Sequence, residues 1–350
     1  MENINNKQPH ELNICSITWN LHGESPDEYT ISLLLNNYKL EDYDIFVIGT
    51  EECLRSIFVS IFWWNKSEWE ETLHSFLGKD KYSIITSQTL VATHIIAFAK
   101  TNLLPYISCI GSSYIKTGAY NLLGNKGAVY LWFKYLEHNL LFINCHLAAY
   151  RDGHVNRVMH YYHIMNNIYI DDSEKVLRKE LYGKEALNAF DFVLWMGDYN
   201  SRTDSTNEII NEMIRNADYQ GILRYDQLTQ AIKKGDIDMN GFVEENIMFN
   251  PTFKLKPGTY SEYQEDEYER IPSYTDRIFY KIKDESKMFF TNAIYSSNIN
   301  LTISDHKPVI LTFKLGMFEE EKKEVVKESE QGKEEQEEEN KKENEMKEEN

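Results

Sequence analysis

The nine residues Leu194-Trp195-Met196-Gly197-Asp198-Tyr199-Asn200-Ser201-Arg202 decide how this 350-residue chain is read. An apolar run from Phe190 to Met196 reaches a glycine, after which Asp198 and Asn200 alternate with Tyr199. At the period of two of an extended strand, both polar side chains project from one face. A carboxylate beside an amide suits a hard cation or an attacking water. The same two residue types also serve plain strand-to-turn junctions.

Seven more short apolar runs recur along the chain: 14–20, 43–50, 93–100, 127–135, 140–147, 276–282 and 308–315. Their length and their Val, Ile, Phe and Tyr content favour buried strands over helices. Helix-like segments are expected at 26–38, 66–77, 153–168 and 204–215. Strands in hairpins interrupted by helices imply an α/β sandwich, two packed sheets covered by helices, and each sheet could come from one half of the chain. Polar residues gather where these strands stop, so groups from separate strands can meet at one rim of the sandwich.

The 37 Lys and Arg against 56 Asp and Glu give a net charge of −19, which disfavours a nucleic-acid partner. Hydrophobic residues at 42% supply a core. Residues 319–350 contain 15 Glu and 7 Lys with almost nothing apolar. That composition is expected to leave 317–350 as a disordered acidic tail, after a flexible 1–11 and one folded domain over 12–316. Cys15, Cys53, Cys109 and Cys145 form no C-x-x-C pair, and no leader pattern or membrane-length apolar run is present. A monomeric cytoplasmic protein that meets membranes only peripherally is the expectation.

Further strings carry possible chemistry. Thr18-Trp19-Asn20 and Gly49-Thr50-Glu51-Glu52 end two strands, and an acid with Asn20 could complete a Mg²⁺ site of few carboxylates and several waters. Gly124-Asn125-Lys126-Gly127 lets backbone approach an anion, or makes a hairpin turn. His146 closes a strand, as a catalytic or a core histidine. Asp276-Arg277 follow Pro272-Ser273-Tyr274-Thr275, and a buried Asp there needs a partner, a catalytic histidine or Arg277 itself. Asp305-His306 precede the last strand, where the acid favours imidazolium.

Taken in order, TWN, GTEE, GNKG, CHLAA, WMGDYNSR, PSYTDR and SDHKPV resemble the inositol polyphosphate 5-phosphatases, with their W-x-G-D-x-N-[FY]-R and P-[SA]-W-x-D-R signatures, over about residues 12 to 316. The resemblance implies the four-layer α/β sandwich of deoxyribonuclease I, two mixed β-sheets flanked by helices. It also implies Mg²⁺-dependent hydrolysis of the 5-phosphate of a phosphoinositide lipid or a soluble inositol polyphosphate, without a phospho-enzyme. Carried across, Glu52 and Asn20 hold the metal and Asp198 deprotonates the water. Asn200 holds a phosphoryl oxygen, and His306 contacts the phosphate, oriented by Asp276. Asp305 lies near the metal and His146 donates to the phosphate. Asn125, Lys126, Arg157, Lys254, Arg270 and Arg277 are carried over as substrate-binding residues.

Departures from the family pattern are Glu51 for Gln, Tyr274 for Trp, Ser201 for an aromatic residue, Tyr150 for His and Phe253 for Tyr. The family's R-R-N-x-D-Y is here Asn156-Arg157-Val158-Met159-His160-Tyr161. Rival readings are another phosphodiesterase of the same fold, endonuclease or sphingomyelinase, and a non-catalytic phosphoinositide-binding protein. Segment 54–64, rich in Phe and Trp, reads either as an interfacial anchor or as a helix packed on the sandwich.

Overall fold

The computed structural model describes residues 10–54, 65–118, 121, 123–170, 180–264 and 270–318. Apart from Leu54, the apolar segment 54–64 lies outside the described residues, and so does everything from 319 onward.

Two six-stranded sheets form the frame. In the first the order is β13 (Met288–Ser297), β14 (Val309–Met317), β1 (His10–Asn20), β2 (Ile45–Glu51), β4 (Thr93–Lys100), β3 (Tyr82–Leu90). In the second it is β11 (Val243–Glu244), β12 (Asp276–Ile282), β10 (Phe192–Asp198), β7 (His138–His146), β6 (Leu123–Tyr135), β5 (Ile107–Gly118). Read across, both sheets repeat one pattern, with a single parallel pair at the centre, β1 with β2 and β10 with β7, and antiparallel pairs on either side. A separate two-stranded sheet pairs β8 (Tyr169–Ile170) with β9 (Leu181–Tyr182).

All eight expected runs are strands, and all occupy interior positions of the sheets. The sequence reading missed β3, β5, β11 and β13, which are the four edges. Edge strands are half-solvated, so their sequences mix Ser, Thr and Gln with apolar residues and lack a continuous run. GNKG is not a hairpin turn, since Asn125 to Gly127 lie inside β6 and Gly127 pairs with His146.

Alternation along each strand divides its side chains between two layers. Ile14, Val47, Phe142, Leu194, Met196 and Leu311 meet between the sheets. Their neighbours Ile17, Trp19, Phe46 and Ile48 face α1 (Glu28–Leu35) and α2 (Ser67–Leu77) through Ile31, Leu34, Trp69 and Leu73. On the far side Leu141, Ile143, Val193 and Trp195 pack on α3 (His154–Asn167) and α4 (Gly183–Ala189). Trp195 stacks on Tyr161 at 5.1 Å, a pairing worth about 0.5–1.5 kcal/mol beyond burial. The layers therefore run helix, sheet, sheet, helix, the expected sandwich.

Glycine appears where the sheets leave no room. At Gly197, φ is +140° and an added Cβ would sit 2.1 Å from the Cys145 carbonyl oxygen. At Gly49 it would meet the Asn144 side chain at 2.5 Å. Asn144 lies between the sheets and donates to the carbonyl of His94 at 3.0 Å, joining the second sheet to the first. Among the described residues no helix is long and apolar enough to cross a membrane.

Candidate active site

The apolar inter-sheet layer turns polar at the ends of its central strands. The alternation that buries Leu194 and Met196 carries Asp198 to the same face, and in the first sheet it does so for Asn20 and Glu51. In register, His146, Asp198 and Asp276 stand side by side on β7, β10 and β12. The loop entering β14 adds Asp305 and His306.

Asp198 is the hub of this layer. It accepts from Asn20 Nδ2 at 3.0 Å, from the Asn200 backbone N at 2.8 Å and from Asn200 Nδ2 at 3.0 Å. His146 Nε2 lies 3.3 Å away. Burial alone would raise the pKa of Asp198, but His146, then His306 and Lys126, outweigh it and hold the carboxyl well below its ordinary range. The Asn200 Nδ2 also donates to the Leu147 carbonyl and its Oδ1 accepts from Arg202 at 2.7 Å, so in this structure the amide orients Asp198.

Opposite Asp198, His306 Nδ1 is 2.9 Å from Asp276 Oδ2. Thr252 and Thr275 hydroxyls donate to the same carboxylate oxygen at 2.6 and 2.8 Å. Burial works against an imidazolium here, yet Asp276, with Asp198 and Asp305, pushes the His306 pKa up to about 10. Asp305 lies between His22 Nδ1, 3.3 Å away, and Lys254 Nζ, at 3.6 Å.

On the other flank Lys126 Nζ contacts His146 Nε2. Burial brings Lys126 down to about 8 against the pull of Asp198 and Glu52. Burial and the Lys126 charge hold His146 below its usual value. Its Nδ1 is buried without a partner among the described residues. The Asn125 side chain packs on Gly118 of the neighbouring strand, so the structure does not bring it into this cluster.

Arg157 and Arg277 are corrections to the sequence reading. Arg157 is buried and donates to the carbonyls of Ala148 at 3.0 Å and Tyr150 at 2.6 Å, and to Gln227. Arg277 follows Asp276 on β12, so alternation turns it to the opposite face. There it pairs with Glu244 and with Asp226 at 3.1 Å. Neither guanidinium faces the cluster.

Glu51 is fully buried, and Thr18 Oγ1 donates to it at 3.3 Å. Burial first, then the charges of Asp198 and Asp276, push its carboxyl pKa well above the ordinary range. A protonated Glu51 has the shape and one donor of the glutamine the resembled family places there. Ser201, standing for an aromatic residue, donates to Asp226 Oδ1 at 2.6 Å and accepts from Leu228 N at 2.8 Å.

Asp198, Asp276 and His306 offer ligand atoms within 4.8 Å of one another. An imidazolium has no lone pair for a metal, so with His306 protonated only the two carboxylates of this trio offer ligand atoms. Glu52, at φ +51°, turns out of β2 and is 3.9 Å from His146 Nε2. No hydrogen bond to its carboxylate is found among the described residues, while Asn20 gives its Nδ2 to Asp198 and accepts at Oδ1 from His22 N at 3.0 Å.

Beside this cluster lies a cavity of about 420 Å³, lined by Tyr150, Arg151, Arg202, Thr203, Arg270 and Ser273 among others. Arg202, which closes the quoted motif and which the sequence reading did not single out, lines this cavity. Its guanidinium covers the Phe253 ring at 4.4 Å, and that ring packs on His306 at 4.4 Å between centroids. Arg202 on the cavity wall is thus linked to the imidazole through the Phe253 ring. Arg270 also lines the cavity.

A model of the endonuclease/exonuclease/phosphatase family 2 matches residues 17–312. Synaptojanin-1 of Homo sapiens is 26% identical over 92% of this chain, which spans 23% of that protein's length. Inositol polyphosphate 5-phosphatase K of Mus musculus is 30% identical over 87% of this chain and 66% of that protein. The solved inositol polyphosphate 5-phosphatase domain of SPsynaptojanin, in complex with inositol (1,4)-bisphosphate and a calcium ion, matches with a TM-score of 0.71 and 29% identity. That match covers 88% of this chain and 86% of the domain.

Proposed function

The chain belongs to the endonuclease/exonuclease/phosphatase family 2, among its inositol polyphosphate 5-phosphatases, and from that membership we propose that it hydrolyses the 5-phosphate of phosphoinositides or soluble inositol polyphosphates. The observation that carries this reading is the Asp276–His306 pair, an imidazolium within reach of the Asp198 carboxylate. A cation for the phosphoryl oxygens and a carboxylate for the attacking water stand together.

In this mechanism water attacks phosphorus in line with the inositol oxygen. Asp198, held by Asn20 and Asn200, accepts the proton of that water. His306 donates from Nε2 to a phosphoryl oxygen while Asp276 fixes Nδ1. Lys126 and His146 take a second phosphoryl oxygen, and the anion offsets the repulsion between them. The P–O bond to the ring breaks, the ring oxygen takes a proton from solvent as Asp198 returns the one it accepted, and phosphate is released without a covalent enzyme intermediate. A Mg²⁺ held by Glu52 and Asn20, when bound, neutralises charge on the leaving oxygen.

The reading includes a monomer in the cytoplasm that meets lipid substrate at a membrane surface. Its test is phosphate release from inositol 1,4,5-trisphosphate and from phosphatidylinositol 4,5-bisphosphate vesicles, with abasic DNA as a control. Release of the 5-phosphate with Mg²⁺, its loss in EDTA and intact DNA are expected. Nicked DNA with no phosphate released would overturn the reading.

A further inference from the structure

Arg151 is a guanidinium in the cavity that the mechanism above does not use. It opens the short turn Arg151–Gly153 behind Tyr150, whose φ is +70°. Two buried side chains fix this turn from beneath. Arg157 donates to the carbonyls of Ala148 and Tyr150, and Gln227 Nε2 donates to the Arg151 carbonyl at 3.2 Å. Gln227 also donates to Asp204 Oδ1 at 3.0 Å, the same oxygen that accepts from Arg151 Nε at 3.0 Å. Arg157 and Gln227 bond each other.

A half-exposed Arg–Asp pair adds little stability by itself. What this network accomplishes is position. The backbone of Arg151 is held by one buried amide and its side chain by a carboxylate that the same amide holds, so much of the ordering cost of a long side chain is met before any ligand arrives. The charge of the place points the same way. Residues 1–318 carry 30 basic against 41 acidic side chains, yet this cavity brings Arg151, Arg202 and Arg270 together, and Arg202 is linked to the His306 imidazole through the Phe253 ring. A positive recess on an acidic protein concentrates polyanions where they react.

We propose that Arg151 is a specificity-determining residue that reads a ring phosphate other than the one removed, and so favours inositol phosphates bearing a phosphate besides that at the 5-position. The proposal rests on the 5-phosphatase reading. Its chemistry is the planar fork of arginine on a phosphate dianion, one edge of the fork already committed to Asp204.

The test compares wild type, Arg151→Gln, Arg151→Lys and Asp204→Asn. Substrates are inositol 1,4,5-trisphosphate against inositol 5-monophosphate, and vesicles of phosphatidylinositol 4,5-bisphosphate against phosphatidylinositol 5-phosphate. Arg151→Gln should raise KM about tenfold on the multiply phosphorylated member of each pair, with a far smaller change on the monophosphate and kcat within about twofold. Arg151→Lys and Asp204→Asn should fall between. Calorimetric binding of inositol 1,4-bisphosphate in EDTA reads the cavity without turnover, and its Kd should rise by a similar factor in Arg151→Gln. Unchanged discrimination together with unchanged Kd would overturn the proposal. So would an effect confined to vesicles, which would assign Arg151 to the membrane surface. If wild type releases no phosphate from any substrate, the 5-phosphatase reading fails while calorimetry still decides the role of Arg151.

Discussion

His306 and His146 stand on either side of one carboxylate, the first delivered by the loop into the last strand of one sheet, the second by the end of a central strand of the other. Both are buried and both feel Asp198, yet one is raised to about 10 and the other is lowered. Their second neighbours make the difference. His306 has Asp276 behind it, itself fixed by two threonine hydroxyls, so its charge is matched within the protein. His146 has the Lys126 ammonium beside it, which with burial outweighs the pull of Asp198 and Glu52. Two identical side chains are thereby driven in opposite directions, one toward the cation and the other toward the neutral ring.

Replacing Asp276 by Asn is the strongest way to break this contrast, since it makes His306 resemble His146. Burial then dominates and the His306 pKa falls. The expectation is a loss of kcat on the order of 10²–10⁴, with the remaining activity moved toward acid pH. A wild-type rate and pH profile in the purified, folded variant would remove His306 from the chemistry.

Lys126 offers a smaller break from the other side. With its pKa near 8, the ammonium is charged below that value and lost as pH rises through it, whereas His306 keeps its proton until about 10. In the wild type kcat/KM should therefore decline on the alkaline side from about pH 8. Lys126→Met should lower kcat/KM by roughly ten- to hundredfold at pH 7 and abolish that limb. A limb that persists in the variant would show that another group produces it.

These contrasts explain which parts of the molecule the sequence discloses. Strands that bury both faces announce themselves as apolar runs, so β1, β2, β4, β6, β7, β10, β12 and β14 are legible and the edges are not. Asp198, Asp276 and His306 are legible because each ends or precedes such a run. Arg277 could have been placed correctly by parity alone, since Asp276 and its neighbour cannot face the same layer. Arg157, Asn125 and Asn200 could not, because their neighbours Gln227, Gly118 and Leu147 are brought to them by tertiary packing. Thr252 and Gln227 belong to no string that suggests chemistry.

Glu51 gives the smallest effect and sharpens the comparison from beneath, where Asp198 and Asp276 both press on it. Its carboxyl is raised in the folded state, so the stability it contributes is full below the ordinary glutamate value near 4.3 and is lost as pH rises toward the folded pKa. Glu51→Gln should raise Tm by a few degrees at pH 8 in EDTA, an advantage that shrinks as pH falls to 5. An equal gain at both pH values would show that the wild-type carboxyl carries no charge-dependent cost.

The first strand of the fold is paired with the last, from His10 opposite Met317 to Thr18 opposite Val309. On the ribosome, therefore, Asn20, Glu52, His146 and Asp198 are all synthesised well before β1 has its neighbour on that side. His306 emerges three residues ahead of the strand that supplies it. Closing so long a loop is slow, and the second sheet, with all its strands already made, has no such wait. The acid proposed to activate water is thus made long before the cation proposed to receive the phosphate, and the two are brought together only when β14 docks beside β1.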